Sequence, residues 1–137
     1  MAYTARSVEY FYTTINSKVD EAYDLLDTLA GLGVSFVAMT AIPIGPQSTQ
    51  LTLFPENADR LQAVARQTGL VISGPHQAVL VQGDDEIGAL ARIHHRIREA
   101  NVDVFASSGI TDGKGRYGYI LYVRPPDADR AIQALAK

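Results

Sequence analysis

Apolar and polar residues follow two different periods in the first part of the chain, and these periods predict a strand and then a helix. Residues 8–15 are rich in aromatic and β-branched side chains, which is typical of a strand. The next segment has apolar residues at helical spacing, namely Ala22, Leu25, Leu26 and Leu29, with acidic residues between them. Gly31 and Gly33 follow this stripe and predict its end.

Four further elements complete the first half. Residues 34–44 and 48–54 are predicted strands, separated by a turn that contains Pro43, Gly45 and Pro46. A second helix is predicted from Pro55 to Gly69, and residues 70–73 form a short predicted strand. The order of elements is therefore βαββαβ.

The second half repeats this pattern. It has predicted strands at residues 77–82, 102–110 and 117–123, a helix at 87–100 and a last helix from Pro125, with no last strand. A shift of 68 residues places Leu25 on Ile93 and Val34 on Val102, and a shift of 70 after the hairpin aligns Ala58-Asp59-Arg60 with Ala128-Asp129-Arg130. The extra two residues are assigned to the second hairpin. The sequence thus predicts an α+β protein of two tandem ferredoxin-like βαββαβ units, residues 1–73 and 74–137, the second lacking its last strand.

The connection between the strand at 77–82 and the following helix combines acidic residues with a glycine. Asp84 or Asp85 is predicted to cap the helix, and Glu86 adds a negative charge where the helix dipole favours one. Gly88 is predicted in the first helical turn, where it weakens the helix. Its missing side chain makes sense if another backbone or a ligand approaches closely. An ordinary strand-to-helix turn explains the same residues.

This arrangement resembles the ACT domain, a family of small regulatory modules that bind amino acids or similar ligands. The resemblance rests on the strand, the acidic turn with glycine, the amphipathic helix and Ala-Asn-Val-Asp-Val at residues 100–104. The family's turn usually reads Asp-x-Pro-Gly. Asp85-Glu86-Ile87-Gly88 keeps the acid and the glycine, and Ile87 replaces the proline. The equivalent Ser17-Lys18-Val19-Asp20 of the first unit keeps none of the three.

The resemblance implies a ligand site at the contact between two such units. It places there Asp84, Asp85, Ile87 and Gly88, together with Asn101 and Val102. Amide groups at the helix start could bind a carboxylate, and Asp84 or Asp85 could bind an ammonium group. The first unit's counterpart around Asn16, Ser17 and Val19 lacks the glycine, and we expect it to bind weakly or not at all. The alternative is that Asp85 only caps the helix.

A second resemblance concerns residues 115–122, which are similar to the third-strand signature of RNA-recognition motifs. Tyr117 and Tyr119 have the spacing of aromatic residues that stack on bases. Leu80 stands where the first strand of such a motif has an aromatic residue, and the net charge of −3 provides no basic surface. The sequence does not favour a nucleic-acid partner.

Catalytic and metal sites find no support in the sequence. The chain has no cysteine. Adjacent residues on a helix are about 100° apart, so His94 and His95 cannot bind one metal ion; His94 is expected to border the core and His95 to face water. An acylphosphatase-like enzyme would need an arginine in the turn that is acidic here. We therefore predict no enzyme activity, catalytic residue, metal or cofactor.

The predicted strand at residues 117–123 is apolar on both faces, which indicates a partner subunit as cover and a homodimer or higher homo-oligomer. No apolar run is long enough to span a membrane, and the amino terminus has no signal-peptide pattern, so we expect a cytoplasmic protein. The predicted function is a stand-alone regulatory or sensor protein that binds an amino acid. The alternatives are an interaction module without ligand and an RNA-binding module.

Overall fold

The computed structural model describes residues 3–16 and 20–136. Within these residues there are six β-strands, and they are β1 Tyr3–Asn16, β2 Phe36–Gly45, β3 Ser48–Pro55, β4 Ser73–Asp84, β5 Val104–Thr111 and β6 Arg116–Val123. The four α-helices are α1 Glu21–Gly31, α2 Ala58–Thr68, α3 Ala89–Glu99 and α4 Ala128–Leu135, and a 3₁₀ turn at Pro125–Asp127 precedes the last. None of these helices is long and apolar enough to cross a membrane.

The chain divides into two compact units, which are residues 9–76 and residues 3–8 together with 77–136. Strand β1 therefore contributes its first residues to one unit and the remainder to the other. The predicted ranges, 1–73 and 74–137, differ from these units in residues 3–8 and 74–76. As sequence domains, those ranges stay a prediction.

The unit of residues 9–76 is a sheet in the order β2-β3-β1 with α1 and α2. Neighbouring strands are antiparallel, and Phe11 lies opposite Leu53 in the register of β1 and β3. Directly opposite residues of an antiparallel pair share one face of the sheet, and both of these side chains are fully buried there. The helices supply Leu29, Leu61 and Val64 to the same core.

The unit that contains residues 77–136 has the equivalent strand order β4-β6-β5 with α3 and α4. Its core includes Val81, Ile93, Ile97, Leu121 and Ala131. As predicted, no last strand follows α4 among the described residues of this half. Residues 3–8 of β1 belong to this unit, and β1 is the neighbour of β4 in the sheet order. The Tyr3 hydroxyl donates a hydrogen bond of 2.5 Å to the carbonyl of Leu135, which fixes this segment to α4.

The internal repeat is visible in the element boundaries. Each of the following pairs of boundary residues is 68 positions apart: Asn16 and Asp84, Glu21 and Ala89, Phe36 and Val104, Ser48 and Arg116. The shift is still 68 in β6, so the extra two residues do not lie in the hairpin, and that prediction is wrong. They lie between β6 and α4, where residues 124–127 replace the two-residue connection 56–57. The longer second hairpin loop is offset by a shorter β5.

Two other sequence expectations need correction. Residues 70–72 are not a strand, because strand pairing begins only at Ser73. Leu70 and Ile72 pack against the core of their unit, and the Val71 carbonyl accepts a hydrogen bond of 2.9 Å from the Thr13 hydroxyl. Strand β6 is indeed apolar on both faces, but its alternate residues Ile120 and Tyr122 are already buried within the chain. Strands β2 and β5, in contrast, carry exposed apolar side chains, such as Ile42 and Phe105.

Candidate functional site

A cleft of about 480 Å³ lies within the unit of residues 77–136, between the first turn of α3 and strands β5 and β6. The acidic turn contributes Asp85, Glu86 and Gly88 to its wall, and the helix contributes Leu90 and Ala91. The sequence pattern predicted Asp85 and Gly88 at a ligand site. It did not predict that strands β5 and β6 would form the other side.

The strand register explains why a glycine lies in the β5 wall of the cleft. Gly109 of β5 lies opposite Tyr119 of β6, and directly opposite residues of an antiparallel pair share one face of the sheet. Tyr119 belongs to the core beneath the helices, and its ring covers Gly109 on that face. A Cβ atom at Gly109 would lie 2.8 Å from Cδ1 of Tyr119, so little room exists for any larger residue.

A hydrogen-bonded network holds this side of the cleft together. The Tyr119 hydroxyl donates to Oγ of Ser107 at 3.0 Å and lies 2.7 Å from Nε2 of His94. The network joins β6 to both β5 and α3. His94 is half-buried, as predicted, while His95 is exposed and lies 2.8 Å from Glu99.

Gly88 occupies the N-cap of α3, with a left-handed backbone at φ 83°. The prediction that Asp84 or Asp85 caps the helix is therefore wrong, and Gly88 precedes the first turn instead of lying in it. Ile87 lies outside the helix and is fully exposed. The backbone must reverse direction between strand and helix, and a positive φ is a conformation that glycine adopts without strain.

The three carboxylates of the turn have different surroundings. Asp84 pairs with Arg116 at 2.7 Å, across the ladder of β4 and β6. Glu86 pairs with Arg92 at 2.6 Å, which ties the turn to the helix. The backbone N–H of Asp85 donates to the carbonyl of Gly115, but its carboxylate has no ion-pair partner among residues 3–16 and 20–136. Asp85 is therefore the acid in the cleft wall that can bind a cationic group.

The start of α3 also presents backbone donors. The N–H of Ala89 donates to the carbonyl of Glu86, and that of Arg92 donates to the carbonyl of Gly88. For the amides of Leu90 and Ala91, which lie between them, no backbone acceptor is found in the part of the chain that the structure describes. Such first-turn amides bind side chains, water or ligands. The cleft thus places hydrogen-bond donors near a single unpaired carboxylate.

Asn101 and Val102 lie at the other end of α3, so the structure does not bring them to the cleft within this unit. Eleven helical residues span about 16 Å. Val102 is buried in the core, and its N–H donates to the carbonyl of Ile97 at 3.2 Å. Asn101 has a positive φ of 59° at the helix end. Their role as ligand-binding residues stays a prediction.

Tyr117 also lines the cleft, and it was considered in the sequence for a different role. Tyr117 and Tyr119 are 8% and 7% exposed and belong to the core beneath α3 and α4. They are therefore not a stacking surface for RNA bases. Burial raises the pKa of the Tyr117 phenol above its ordinary value, so the hydroxyl is neutral at physiological pH. The alternation of side chains along the two strands of the hairpin could have predicted that Thr111 and Tyr117 share one face of the sheet, since they lie opposite each other.

The equivalent turn of the other unit is only partly described. Ser17 and Val19 lie outside the described residues, and the N–H of Asn16 donates to Oε1 of Glu21 at 3.0 Å. Within residues 3–16 and 20–136 no group of three or more His, Cys, Asp or Glu side chains could hold a metal ion.

The fold of this chain, unlike its sequence, is similar to that of known proteins. No family model matches the sequence, and no curated protein matches it. Solved structures do match: two repeated ferredoxin-like units form a fold shared with regulatory subunits of aspartate kinase. The fold class predicted from the sequence is therefore confirmed.

Three of these structures are informative. A Bacteroides thetaiotaomicron protein matches with a TM-score of 0.81 and 12% identity, over 96% of this chain and 88% of that one. The ligand-free regulatory subunit of Thermus thermophilus aspartate kinase gives 0.69 and 11%, over 99% and 95%. Escherichia coli aspartokinase III, in complex with lysine and aspartate, gives 0.55 and 18%, over 98% of this chain and 32% of that one. At 11–18% identity, these three structures show a fold in common with this chain.

Proposed function

We propose that this chain is a regulatory or sensor protein that binds an amino acid or a similar small ligand in the cleft beside α3. The observation that carries this proposal is the unpaired carboxylate of Asp85 in the wall of a cleft that also contains the first-turn amides of α3. A zwitterionic amino acid needs an anionic partner for its ammonium group and hydrogen-bond donors for its carboxylate. Among the described residues, the cleft wall contains an acid and free amide groups.

We propose different partners for the two charged groups of such a ligand. The ammonium group would pair with Asp85, because Asp84 and Glu86 already hold arginines. The carboxylate would accept hydrogen bonds from the amides of Leu90 and Ala91, where the helix dipole is positive. The fold adds independent support, since one structural neighbour is a complex with lysine and aspartate.

The proposal includes self-association. Asn101 and Val102, which the ACT resemblance places in the site, would have to come from another unit or from a second copy of the chain. Strands β2 and β5 are the outer strands of their units and carry exposed apolar side chains, including Ile42 at 56%, Phe105 at 56% and Ile110 at 78%. Uncharged outer strands of this kind favour pairing with another chain. A homodimer or higher homo-oligomer would cover them.

Calorimetric titration of the twenty amino acids tests ligand binding. The variant Ala91→Leu adds a side chain to the cleft wall at an exposed helical position, where leucine preserves the helix. We expect it to weaken binding at least tenfold. The matched control is Ala30→Leu, an exposed alanine of α1 outside the cleft, which should bind like wild type.

Two results would contradict the proposal: no binding by wild type, or equal affinity in wild type and Ala91→Leu. The first result would favour the alternative of an interaction module without ligand. The exposed apolar side chains of β2 and β5 are consistent with that alternative. Sedimentation at micromolar concentration then tests self-association separately, and a strict monomer would remove that alternative.

A further inference from the structure

We infer that the ligand carries an apolar side chain, so that leucine, isoleucine, valine or phenylalanine binds better than any charged amino acid. This inference rests on the proposed function and specifies the ligand of the same cleft. It comes from the side chains that line the cleft and from the charges that are already paired.

Among the described residues 3–16 and 20–136, those that line the cleft include no lysine, arginine or histidine. The side chain of aspartate or glutamate would therefore lie near Asp85 and Glu86 without a cationic partner, and like charges at close range repel. Arg92 is the nearest arginine of the turn, but it holds Glu86 at 2.6 Å and its Nη1 lies 3.4 Å from the carbonyl of Ile87. An acidic ligand would have to break that ion pair.

A basic side chain is disfavoured for a complementary reason. The ammonium group of the ligand backbone needs a carboxylate, and Asp85 is the one in the cleft wall without an ion pair among the described residues. The second ammonium or guanidinium group of lysine or arginine would compete with Arg92 for Glu86. A charge removed from water without a partner is costly.

The remaining wall is suited to hydrocarbon. Leu90 is 40% exposed on the helix side, Ala89 is buried beside it, and the Tyr117 ring lies on the sheet side. The volume of about 480 Å³ is within the usual range of ligand pockets and exceeds what a glycine or alanine would fill. A branched or aromatic side chain would displace water from these surfaces, which is the main source of apolar affinity.

The affinity should therefore increase with the size of an aliphatic ligand. A buried methylene group corresponds to roughly a fourfold change in affinity, so leucine should bind on the order of 50-fold more tightly than alanine. Aspartate and lysine should bind more weakly than leucine by at least tenfold. The measurement is isothermal titration of the full chain with alanine, valine, leucine, phenylalanine, aspartate and lysine at one ionic strength.

Two variants test the wall itself. Leu90→Asn should weaken leucine binding about tenfold and alanine binding by less than twofold. Leu90→Met keeps an apolar side chain and should weaken leucine binding less than Leu90→Asn does. Leu26→Asn in α1 is the matched control, since Leu26 is a half-buried helical leucine outside the cleft. It should leave both affinities unchanged.

The outcomes separate this inference from the proposed function. Tighter binding of aspartate or lysine, still abolished by Ala91→Leu, would overturn the apolar preference and keep the site. Equal effects of Leu90→Asn on leucine and alanine would also overturn it. If no amino acid binds at all, the proposed function fails, and this inference fails with it.

Discussion

The two strand-to-helix turns of the repeat differ at one equivalent backbone position. Asp20 and Gly88 are 68 residues apart, and each is the N-cap of its helix. Asp20 has φ −98°, an ordinary conformation, whereas Gly88 has φ 83°. The Asp20 side chain makes no capping hydrogen bond, and Gly88 has no side chain that could make one. Equal element boundaries thus conceal different backbones, and the left-handed glycine occurs at the turn that lines the cleft.

A second pair of equivalent positions, at the N-caps of α2 and α4, also differs in its interactions. Asn57 and Asp127 each precede Ala-Asp-Arg, so the sequence predicts similar starts for α2 and α4. The Asn57 side chain accepts a hydrogen bond of 3.0 Å from the N–H of Arg60. Asp127 instead pairs with the guanidinium of Arg130, after two prolines that form a 3₁₀ turn. A repeated sequence motif therefore does not guarantee a repeated interaction.

The largest expected effect comes from the cores beneath α1 and α3. Ile93 is fully buried, while its repeat equivalent Leu25 is only half-buried. Ile93→Ala should lower the free energy of unfolding by about 2–5 kcal/mol, the usual range for a buried large-to-alanine change. Leu25→Ala should cost clearly less. Urea unfolding of both variants checks the difference, and equal losses would show that the two helices pack alike.

Substitution of the two N-cap residues sharpens the comparison of the turns. Gly88→Ala forces a left-handed conformation on a residue with a Cβ atom, and should cost about 1–2 kcal/mol. Gly88→Leu should cost at least as much, contrary to the expectation from helix propensity alone, because Gly88 is outside the helix. Asp20→Ala should cost only a few tenths of a kcal/mol, since Asp20 makes no cap bond. A Gly88→Ala variant as stable as wild type would contradict the assigned backbone.

Substitutions of the N-cap residues Asn57 and Asp127 should differ less in their effect on the free energy of unfolding. Asn57→Ala removes a side-chain cap and should cost about 1 kcal/mol. Asp127→Ala breaks an ion pair whose arginine is half exposed, and such pairs contribute less than about 1 kcal/mol, often near zero. Thermal unfolding distinguishes the two. A larger loss for Asp127→Ala would mean that the charge, not the cap, stabilises the helix start.

The smallest effect concerns the hairpin between β5 and β6. The backbone N–H groups of Lys114 and Arg116 donate to the Asp112 carboxylate and hold its pKa below the ordinary value of 3.8. A lowered carboxyl pKa stabilises the fold above that ordinary value, and the contribution is lost as pH falls through the folded pKa. Asp112→Asn should therefore lower Tm at neutral pH, and the difference from wild type should shrink below about pH 4. A difference independent of pH would exclude this mechanism.

Hydrophobic period was sufficient to predict the repeat and most of the order of elements, because buried residues such as Leu29 and Ile97 recur at fixed spacing. It wrongly predicted separate strands at residues 70–73 and 77–82, where the structure has the single strand β4. It could not predict that Gly88 is the N-cap of α3, since the spacing of apolar residues does not depend on the sign of a φ angle. The cleft side formed by Gly109 and Thr111 depends on which residues of β5 face those of β6, and this is a property of strand register. The arginine partners of Asp84 and Glu86 were not predicted either, because they are fixed by the folded positions of β6 and α3.

We propose that the turn at Gly88 binds the ligand and that its repeat equivalent at Asp20 does not. The most direct measurement is the change of backbone amide NMR shifts as leucine is added to the ¹⁵N-labelled protein. We predict saturable shifts in residues 85–91 and 109–118, with residues 20–31 unchanged. Shifts confined to residues 20–31, or no saturable shift at all, would contradict the claim.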